Sequence, residues 1–446
     1  MKFIEGLKWL ENYKAQEYFT LLEVNSKVQT KLKIEKNSDG FVFSVNYPIS
    51  KVLYDKNSKF IINTDNFKIE VNNYIVNLGN DLLSKKFDAY IFQSEGFDEE
   101  ELYYYKLLSP ISSFFYLRNI NIDDENNFHF HFNEDLVTVS TERSENQIYL
   151  VIESKSKTSF KEFKHITNSI LITLGYLTGE LVKNEEYFFQ SNDKDWVYCH
   201  AFFYRKLKKS VKCYMPITST PKQYSNFIQE KDYKYVEKIS YLDNMEINNL
   251  VLLIYSNSNY FLAIRLLLEI FNNSFINRPS TLFVVLELLV NEVLKENSKP
   301  FIEKQIIKDE CVRVLIKNKK VLPNDDYNLL LDGVNQIDKN LKQNNKKFEE
   351  AFKALDIYLN IEERKTLSKR NNFFHGKILA LDQIIESEES FTNIELDYNL
   401  LSQRLYTLIS KLILKRIGYS GYLINHVKLR EKQNGKFHDE DYFIKI

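Results

Sequence analysis

One short stretch of the sequence combines residue types that could move a proton and hold a phosphate. Within Ser368–Ile378, Arg370, Asn371 and His375 fall inside six positions, and Gly376 follows directly. Histidine is the side chain whose ordinary pKa lies nearest neutrality, and arginine presents a permanently charged fork that matches a phosphate. Asn371 and His375 are four residues apart and share one helix face. Glycine inside a helix costs up to about 1 kcal/mol relative to alanine, so Gly376 predicts a close approach to the backbone.

An arginine followed by a polar residue, with four residues between the arginine and a histidine, resembles the motif of the HEPN superfamily of ribonucleases. Arg370, Asn371 and His375 are the matching residues. The order of a β-rich region and then a helical one resembles the ApeA-type abortive-infection proteins. The resemblance implies an endoribonuclease of antiphage defence that needs no metal or other cofactor, with tRNA as one candidate substrate. In such enzymes the 2′-hydroxyl of RNA attacks the adjacent phosphate and leaves a 2′,3′-cyclic phosphate.

The resemblance also implies a role for each motif residue and a partner for the chain. Arg370 would hold the phosphate, His375 would act as acid or base, and Asn371 would orient the histidine or bind a phosphate oxygen. The chain has no second arginine with four to six residues between it and a later histidine. A second copy would therefore supply the partner motif, with the motif helices packed across a two-fold axis at Gly376. RNA and a homodimer partner are expected, and a phage-derived trigger is a further candidate.

Two alternatives remain open at this point. The helical half could be a non-catalytic HEPN-like bundle that binds a protein or a nucleotide, or Arg370 and His375 could be a surface cation and a packed helix residue. Glu287 lies mid-helix in the apolar run Leu282–Val290. A buried carboxylate is costly unless it is paired. Glu287 therefore either orients Arg370 across the bundle or lies at the edge of an amphipathic stripe.

Two groups of cations are candidates for weak RNA contacts. Lys369 and Lys377 flank the motif, and a second group lies in a run beside several aromatic residues: Arg205, Lys206, Lys208 and Lys209. Cations bind phosphate and aromatic rings stack on bases, so this combination suits RNA. The alternative for the second group is a solvated hairpin edge that lysines keep from aggregating.

The sequence offers little support for a metal or a cofactor. His129 and His131 alternate on a predicted strand and share one sheet face, but no third ligand follows at a spacing typical of a metal site. Cys199, Cys213 and Cys311 show neither metal nor disulfide spacing and fit a reducing compartment. No glycine-rich phosphate loop follows a predicted strand. We therefore expect no metal and no cofactor.

The composition excludes a globally basic nucleic-acid-binding surface. Lysine and arginine total 60 and aspartate and glutamate 61, so the net charge is −1 and RNA contacts must use local patches. The first residues lack the apolar region of a signal peptide, and charged residues interrupt the most apolar helices. A cytoplasmic location is the expectation.

Hydrophobic periodicity predicts an α+β fold. Residues 1 to about 158 alternate with the period of strands, which predicts an antiparallel sandwich or barrel-like domain. A helix over 159–175 follows, with Gly175 and Gly179 marking its end, and further strands are predicted over 186–189 and 196–204. From about 230 the period is helical, with helices beginning near 278, 300, 323 and 348 and a last one over 395–417. The predicted domains are 1–225, β-rich with a sensor or regulatory role, and 226–446, a HEPN-like helical bundle with its core at about 260–420.

Overall fold

The computed structural model of the chain confirms the α+β class, because strands dominate its first half and helices its second. The chain divides into two compact units, Met1–Val211 and Lys212–Ile446. The predicted boundary at 225/226 falls within 218–241, outside the described residues, and stays a prediction. The structure describes residues 18–23, 29–37, 40–46, 60–63, 68–77, 84–111, 128–132, 135–143, 147–182, 185–206, 211–217, 242–296, 299–319, 321–341, 344–370, 373, 388–431 and 437–446.

The first unit is built on a 12-stranded sheet whose pairings are all antiparallel. Its strands in chain order are β1 (Tyr18–Glu23), β2 (Gln29–Asn37), β3 (Gly40–Asn46), β4 (Phe60–Asn63), β5 (Lys68–Asn77), β6 (Ser84–Ser94), β7 (Tyr104–Ile111), β8 (Phe128–Phe132), β9 (Asp135–Arg143), β10 (Ile148–Ser154), β12 (Glu185–Ser191) and β13 (Ala201–Lys206). Two shorter strands, β11 (Glu180–Leu181) and β14 (Val211–Lys212), lie outside this sheet.

Six of these strands close into a ring. β3 pairs with both β2 and β6, so the order β3-β2-β1-β4-β5-β6 returns to β3. β6 is long enough to pair with β3 through Ser84–Ala89 and with β13 through Ile91–Gln93. The sheet then continues in the order β13-β12-β7-β10-β9-β8, and β8 is its last strand among the described residues.

Aromatic side chains and one buried carboxylate form much of the core of this sheet. The ring of Phe92 packs edge-on against Phe41 at 5.2 Å and stacks on Tyr204 at 4.5 Å. The hydroxyls of Tyr204 and Tyr187 donate to the two oxygens of Glu185 at 2.8 Å and 2.7 Å. Since hydrogen bonds offset the cost of burying a charge, this carboxylate is part of the core rather than an exposed group.

The helix of the first unit, α1 (Phe160–Thr178), begins where the sequence predicts. The hydroxyl of Ser159 accepts a hydrogen bond from the backbone N–H of Glu162 at 3.3 Å. Of the two glycines that the sequence places at the helix end, Gly179 ends it, with φ +74°, and the helix continues past Gly175. A side chain at Gly175 would lie 3.1 Å from Leu181, so this glycine allows close packing instead of ending the helix.

The second unit is helical, and its helices are α2 (Asn244–Ser256), α3 (Ser258–Glu269), α4 (Arg278–Glu296), α5 (Lys299–Asn318), α6 (Asn324–Leu341), α7 (Asn344–Ala354), α8 (Ile361–Ser368), α9 (Glu388–Arg416) and α10 (His426–Leu429), with strands β15 (Tyr422–Ile424) and β16 (Phe443–Lys445). The starts predicted near 278, 300 and 323 are confirmed by α4, α5 and α6. None of the described helices is by itself long and apolar enough to cross a membrane. The consecutive helices at 244–256 and 258–272 pass that test only as a pair, bent by 107°.

Helices α4 and α9 position the motif segment. α4 packs against α3, α7 and α9. The Lys411 ammonium group on α9 donates to the Glu363 carboxylate on α8 at 2.6 Å, and the two side chains are only 5% and 6% exposed. This buried ion pair joins α8, the helix that leads into the motif, to α9.

Candidate active site

The motif arginine lies two residues beyond the end of α8, a helix with a well-defined start. The side chain of Asn360 accepts from the backbone N–H of Glu363 at 2.8 Å, and the Glu363 carboxylate accepts from the backbone N–H of Asn360 at 3.0 Å. This reciprocal capping box satisfies two amide groups that a helix start otherwise leaves without partners. Lys369 continues with helical backbone angles, and Arg370 is helical as well. The direction of α8 therefore sets the position of the Arg370 backbone.

An ion pair holds the guanidinium of Arg370 against α4. Its Nη2 donates to Oε1 of Glu287, and the two side chains are 16% and 29% exposed. Of the two roles that the sequence left open for Glu287, the contact with Arg370 across the bundle is confirmed. A partly buried carboxylate that pairs with an arginine restricts the guanidinium to a narrow range of orientations.

A second contact fixes the chain three residues further on. The ring of Phe373 lies 5.8 Å from Phe283 of α4 and 5.5 Å from Tyr398 of α9, measured between centroids. Phe283 and Glu287 are four residues apart and share one face of α4, so the same face receives Phe373 and Arg370. Arg370 is therefore held by an ion pair, and Phe373 by an aromatic cluster.

The chain matches no known protein in three comparisons. No protein-family model matches the chain, and the comparisons with curated proteins and with solved structures give no match. The resemblance to HEPN ribonucleases rests on Arg370, Asn371 and His375 and on the order of the two units.

The remaining motif residues lie outside the described part of the chain. Asn371, His375, Gly376 and Lys377 belong to this group, so their predicted roles and their distance from Arg370 stay predictions. Lys369 is described and exposed, as a residue that contacts RNA would need to be. An arginine fixed by a carboxylate can orient and neutralise a phosphate, but it cannot move a proton at neutral pH because its pKa is too high.

The second group of cations forms local contacts in the sheet. Arg205 and Glu186 are register partners on β13 and β12, and the guanidinium donates from Nε to Oε2 of Glu186 at 2.8 Å. Glu186 is 3% exposed, and burial raises its pKa while Arg205 opposes that rise. The Lys206 ammonium lies 5.2 Å from the centroid of the Tyr90 ring. Arg205 would have to exchange Glu186 for a phosphate to bind RNA, and Lys208 and Lys209 lie outside the described residues.

Metal ligands are not brought together in the described part of the chain. His129 and His131 lie on β8 with exposed side chains on one face, as their alternation predicts. Across the described ranges, no group of three or more histidine, cysteine, aspartate or glutamate residues could hold a metal ion.

Sequence reasoning did not single out a groove that the structure forms beside α8. It has a volume of about 520 Å³ and lies between α7, the turn after it and Arg364. Tyr358 in that turn is 82% exposed although Ile357 and Leu359 on either side are buried. In the sequence, Tyr358 stands between Ile357 and Leu359, directly ahead of the helix cap Asn360. This alternation could have indicated an exposed tyrosine in a turn.

Proposed function

We propose that the chain is a metal-independent endoribonuclease of the HEPN type that acts in antiphage defence. The observation that carries this proposal is the position of Arg370, which Glu287 holds at the end of α8, five residues ahead of His375. A fixed cation next to a group with a near-neutral pKa is the combination that cleavage of a phosphodiester through its own 2′-hydroxyl requires.

In the proposed reaction, His375 takes the proton of the ribose 2′-hydroxyl. The 2′-oxygen forms a bond to the adjacent phosphorus, and the bond from phosphorus to the 5′-oxygen breaks. A second acid, His375 of the other copy in the expected homodimer, gives a proton to the leaving 5′-oxygen. The products are a 2′,3′-cyclic phosphate and a 5′-hydroxyl, so atoms and charge balance without an added oxidant or metal.

Arg370 would stabilise the extra negative charge on the phosphate in the transition state. A guanidinium carries five N–H donors in one plane, which is enough for a carboxylate and a phosphate together. Because Glu287 fixes the plane beforehand, less orientational freedom is lost when the phosphate binds. Glu287 is therefore a positioning residue, and Asn371 would orient His375 or bind a phosphate oxygen.

A second candidate function has one observation in its favour. Glu287 compensates the charge of Arg370, as expected of a structural ion pair in a non-catalytic bundle that binds a protein or a nucleotide. Incubation of purified protein with RNA, followed by analysis of the product ends, separates the two candidates. The catalytic proposal expects cyclic phosphate ends from the wild type and none from His375→Ala. His129→Ala, at an exposed position of β8, is the matched control and should cleave like the wild type.

The proposal includes a homodimer through the motif helices, a cytoplasmic location and a sensor or regulatory role for the β-rich unit. Sedimentation should give a dimer at micromolar concentration, and Gly376→Leu should weaken it because a leucine side chain would separate the two motif segments. A monomer that cuts RNA at the full rate would refute the shared site. A phage-derived trigger would act through the first unit.

A further inference from the structure

The groove beside α8 is lined by charged side chains from two helices. Lys346, Glu349 and Lys353 line it from α7, and their spacing of three and four residues places them on one face. Lys346 and Lys353 are seven residues apart, about 10 Å along the helix axis. Arg364 of α8 lines the same groove. All four side chains are exposed, so their charged groups are available to a bound molecule.

The turn after α7 presents the ring of Tyr358 to this groove. The N–H of Ile357 donates to the carbonyl of Phe352 at 2.9 Å, and the N–H of Asp356 donates to the carbonyl of Lys353 at 3.0 Å. Together with the left-handed φ of +54° at Asp356, these bonds end the helix in a Schellman motif.

Buried residues then fix the chain on both sides of the tyrosine. Ile357 is 9% and Leu359 5% exposed, whereas Tyr358 between them is 82% exposed. Because a buried aliphatic residue anchors the chain on each side of it, the ring of Tyr358 stays in solvent. A large ring held in solvent on a fixed backbone can stack against a planar ligand at little entropic cost.

These side chains match the parts of a ribonucleotide. Lys353 and Arg364 can neutralise a phosphate, Tyr358 can stack on a base, and Glu349 can accept hydrogen bonds from ribose hydroxyls or base amino groups. The acidic groups of Glu349 and its neighbours in the groove balance the cations. A long run of phosphates is therefore disfavoured, and a single nucleotide fits the charge pattern better.

We propose that the groove binds one nucleotide of a single-stranded RNA, with its base on Tyr358 and its phosphate on Lys353 and Arg364. This proposal rests on the ribonuclease function proposed above. Arg364 and Arg370 are six residues apart in one helical segment, a rise of about 9 Å. Six residues also turn the helix by about 240°, so the two arginines lie on different sides of it. The groove would therefore hold a nucleotide near the phosphate that Arg370 meets, not the one bonded to that phosphate, and would favour substrates with an unpaired base at that position.

Binding of a fluorescently labelled, unstructured RNA oligomer by the uncleaving His375→Ala protein tests the proposal. Tyr358→Ala should weaken binding about tenfold, as expected for the loss of one stacked base, and Tyr358→Phe should bind like the parent. Phe437→Ala, at an aromatic ring that is 79% exposed in the same unit, is the matched control and should have no effect. A fully paired RNA duplex should bind equally to the parent and to Tyr358→Ala.

The outcomes separate this proposal from the function on which it rests. If the wild type cleaves RNA and Tyr358→Ala binds the oligomer like its parent, the groove proposal fails and the ribonuclease proposal stands. If the parent binds no RNA and the wild type cleaves none, both fail. If adenosine monophosphate binds with the same dependence on Tyr358 while the oligomer does not, the groove serves a free nucleotide and the RNA assignment is wrong.

Discussion

The ion pair between Glu287 and Arg370 allows the structure to be tested through both stability and catalysis. The two side chains are 29% and 16% exposed, between a surface pair and a buried one. Surface pairs contribute about 0–1 kcal/mol, and breaking fully buried pairs costs about 3–5 kcal/mol. A double-mutant cycle of Glu287→Ala and Arg370→Ala, read by denaturant unfolding, should therefore give a coupling energy of about 1–2 kcal/mol.

The same substitution should lower the rate of RNA cleavage. Without Glu287 the guanidinium of Arg370 loses its fixed orientation, and a small misplacement of a catalytic group can cost on the order of a hundredfold. We expect Glu287→Ala to reduce kcat about 10- to 100-fold with little change in KM, and Glu287→Asp to recover part of the loss. Glu296 provides the control. It lies on α4 like Glu287 and pairs with Arg416 of α9 at 2.6 Å, so Glu296→Ala should destabilise the fold without slowing cleavage. A normal kcat in Glu287→Ala, with the coupling energy present, would show that the pair is structural only.

Three further predictions concern the stability of the fold. Lys411→Met should destabilise the helical unit by about 3–5 kcal/mol in denaturant unfolding, because it leaves the Glu363 carboxylate buried without the Lys411 ammonium group. Adding Glu363→Gln should restore most of the lost stability, and no restoration would contradict the pairing. Burial lowers the pKa of His426 from 6.5 to about 3. Between about pH 3 and pH 6.5 the unfolded chain therefore binds one more proton than the folded chain, so the stability present above pH 6.5 falls as the pH is lowered through this range. Unfolding curves of His426→Phe across that window should show a pH slope smaller by about 1.4 kcal/mol per pH unit, and an unchanged slope would assign the acid sensitivity to other groups. Gly40→Ala should destabilise the first unit by about 1–3 kcal/mol, since φ of Gly40 is +115° and a Cβ would lie 3.0 Å from a tyrosine hydroxyl. Gly333→Ala should instead stabilise its helix by about 0.5–1 kcal/mol, because a Cβ there would meet nothing within 4 Å. Equal effects of the two substitutions in thermal unfolding would contradict this packing.

The parts of the fold that could be predicted are those in which local pattern and tertiary packing agree. The late helix carries apolar residues at helical spacing, and Gly418, with φ +94°, ends it as the sequence predicts. Glu287 was recognisable as a partner for Arg370 because a carboxylate inside an apolar helical run needs a cation.

The parts that were missed depend on tertiary context. The sequence predicts that the helix beginning near 348 continues to 359, but α7 ends at Ala354, just ahead of Asp356 with its left-handed φ of +54°. The apolar residues beyond Asp356 are not helical. The strand predicted over 196–204 begins only at Ala201, since Trp196 adopts φ +57° in the loop before it. β7 contains Pro110, which a sequence pattern disfavours inside a strand, and this proline is tolerated because the pairing with β12 ends at Leu108.

The candidate site was only partly accessible from sequence. The motif itself is a matter of residue type and spacing, whereas the groove at Tyr358 exists only because a helix end, a turn and a second helix meet. Sequence spacing also cannot show that Arg205 is held by Glu186, because the two residues are register partners on neighbouring strands.

Cleavage of RNA by the wild type and by His375→Ala, with the product ends identified, decides whether His375 is catalytic. We expect the wild type to leave 2′,3′-cyclic phosphate ends in the presence of EDTA. His375→Ala should lose at least about a hundredfold in rate while unfolding at nearly the same temperature. Full activity in His375→Ala, or a fall in activity explained by unfolding of the bundle, would contradict a catalytic role for His375 and with it the proposed ribonuclease.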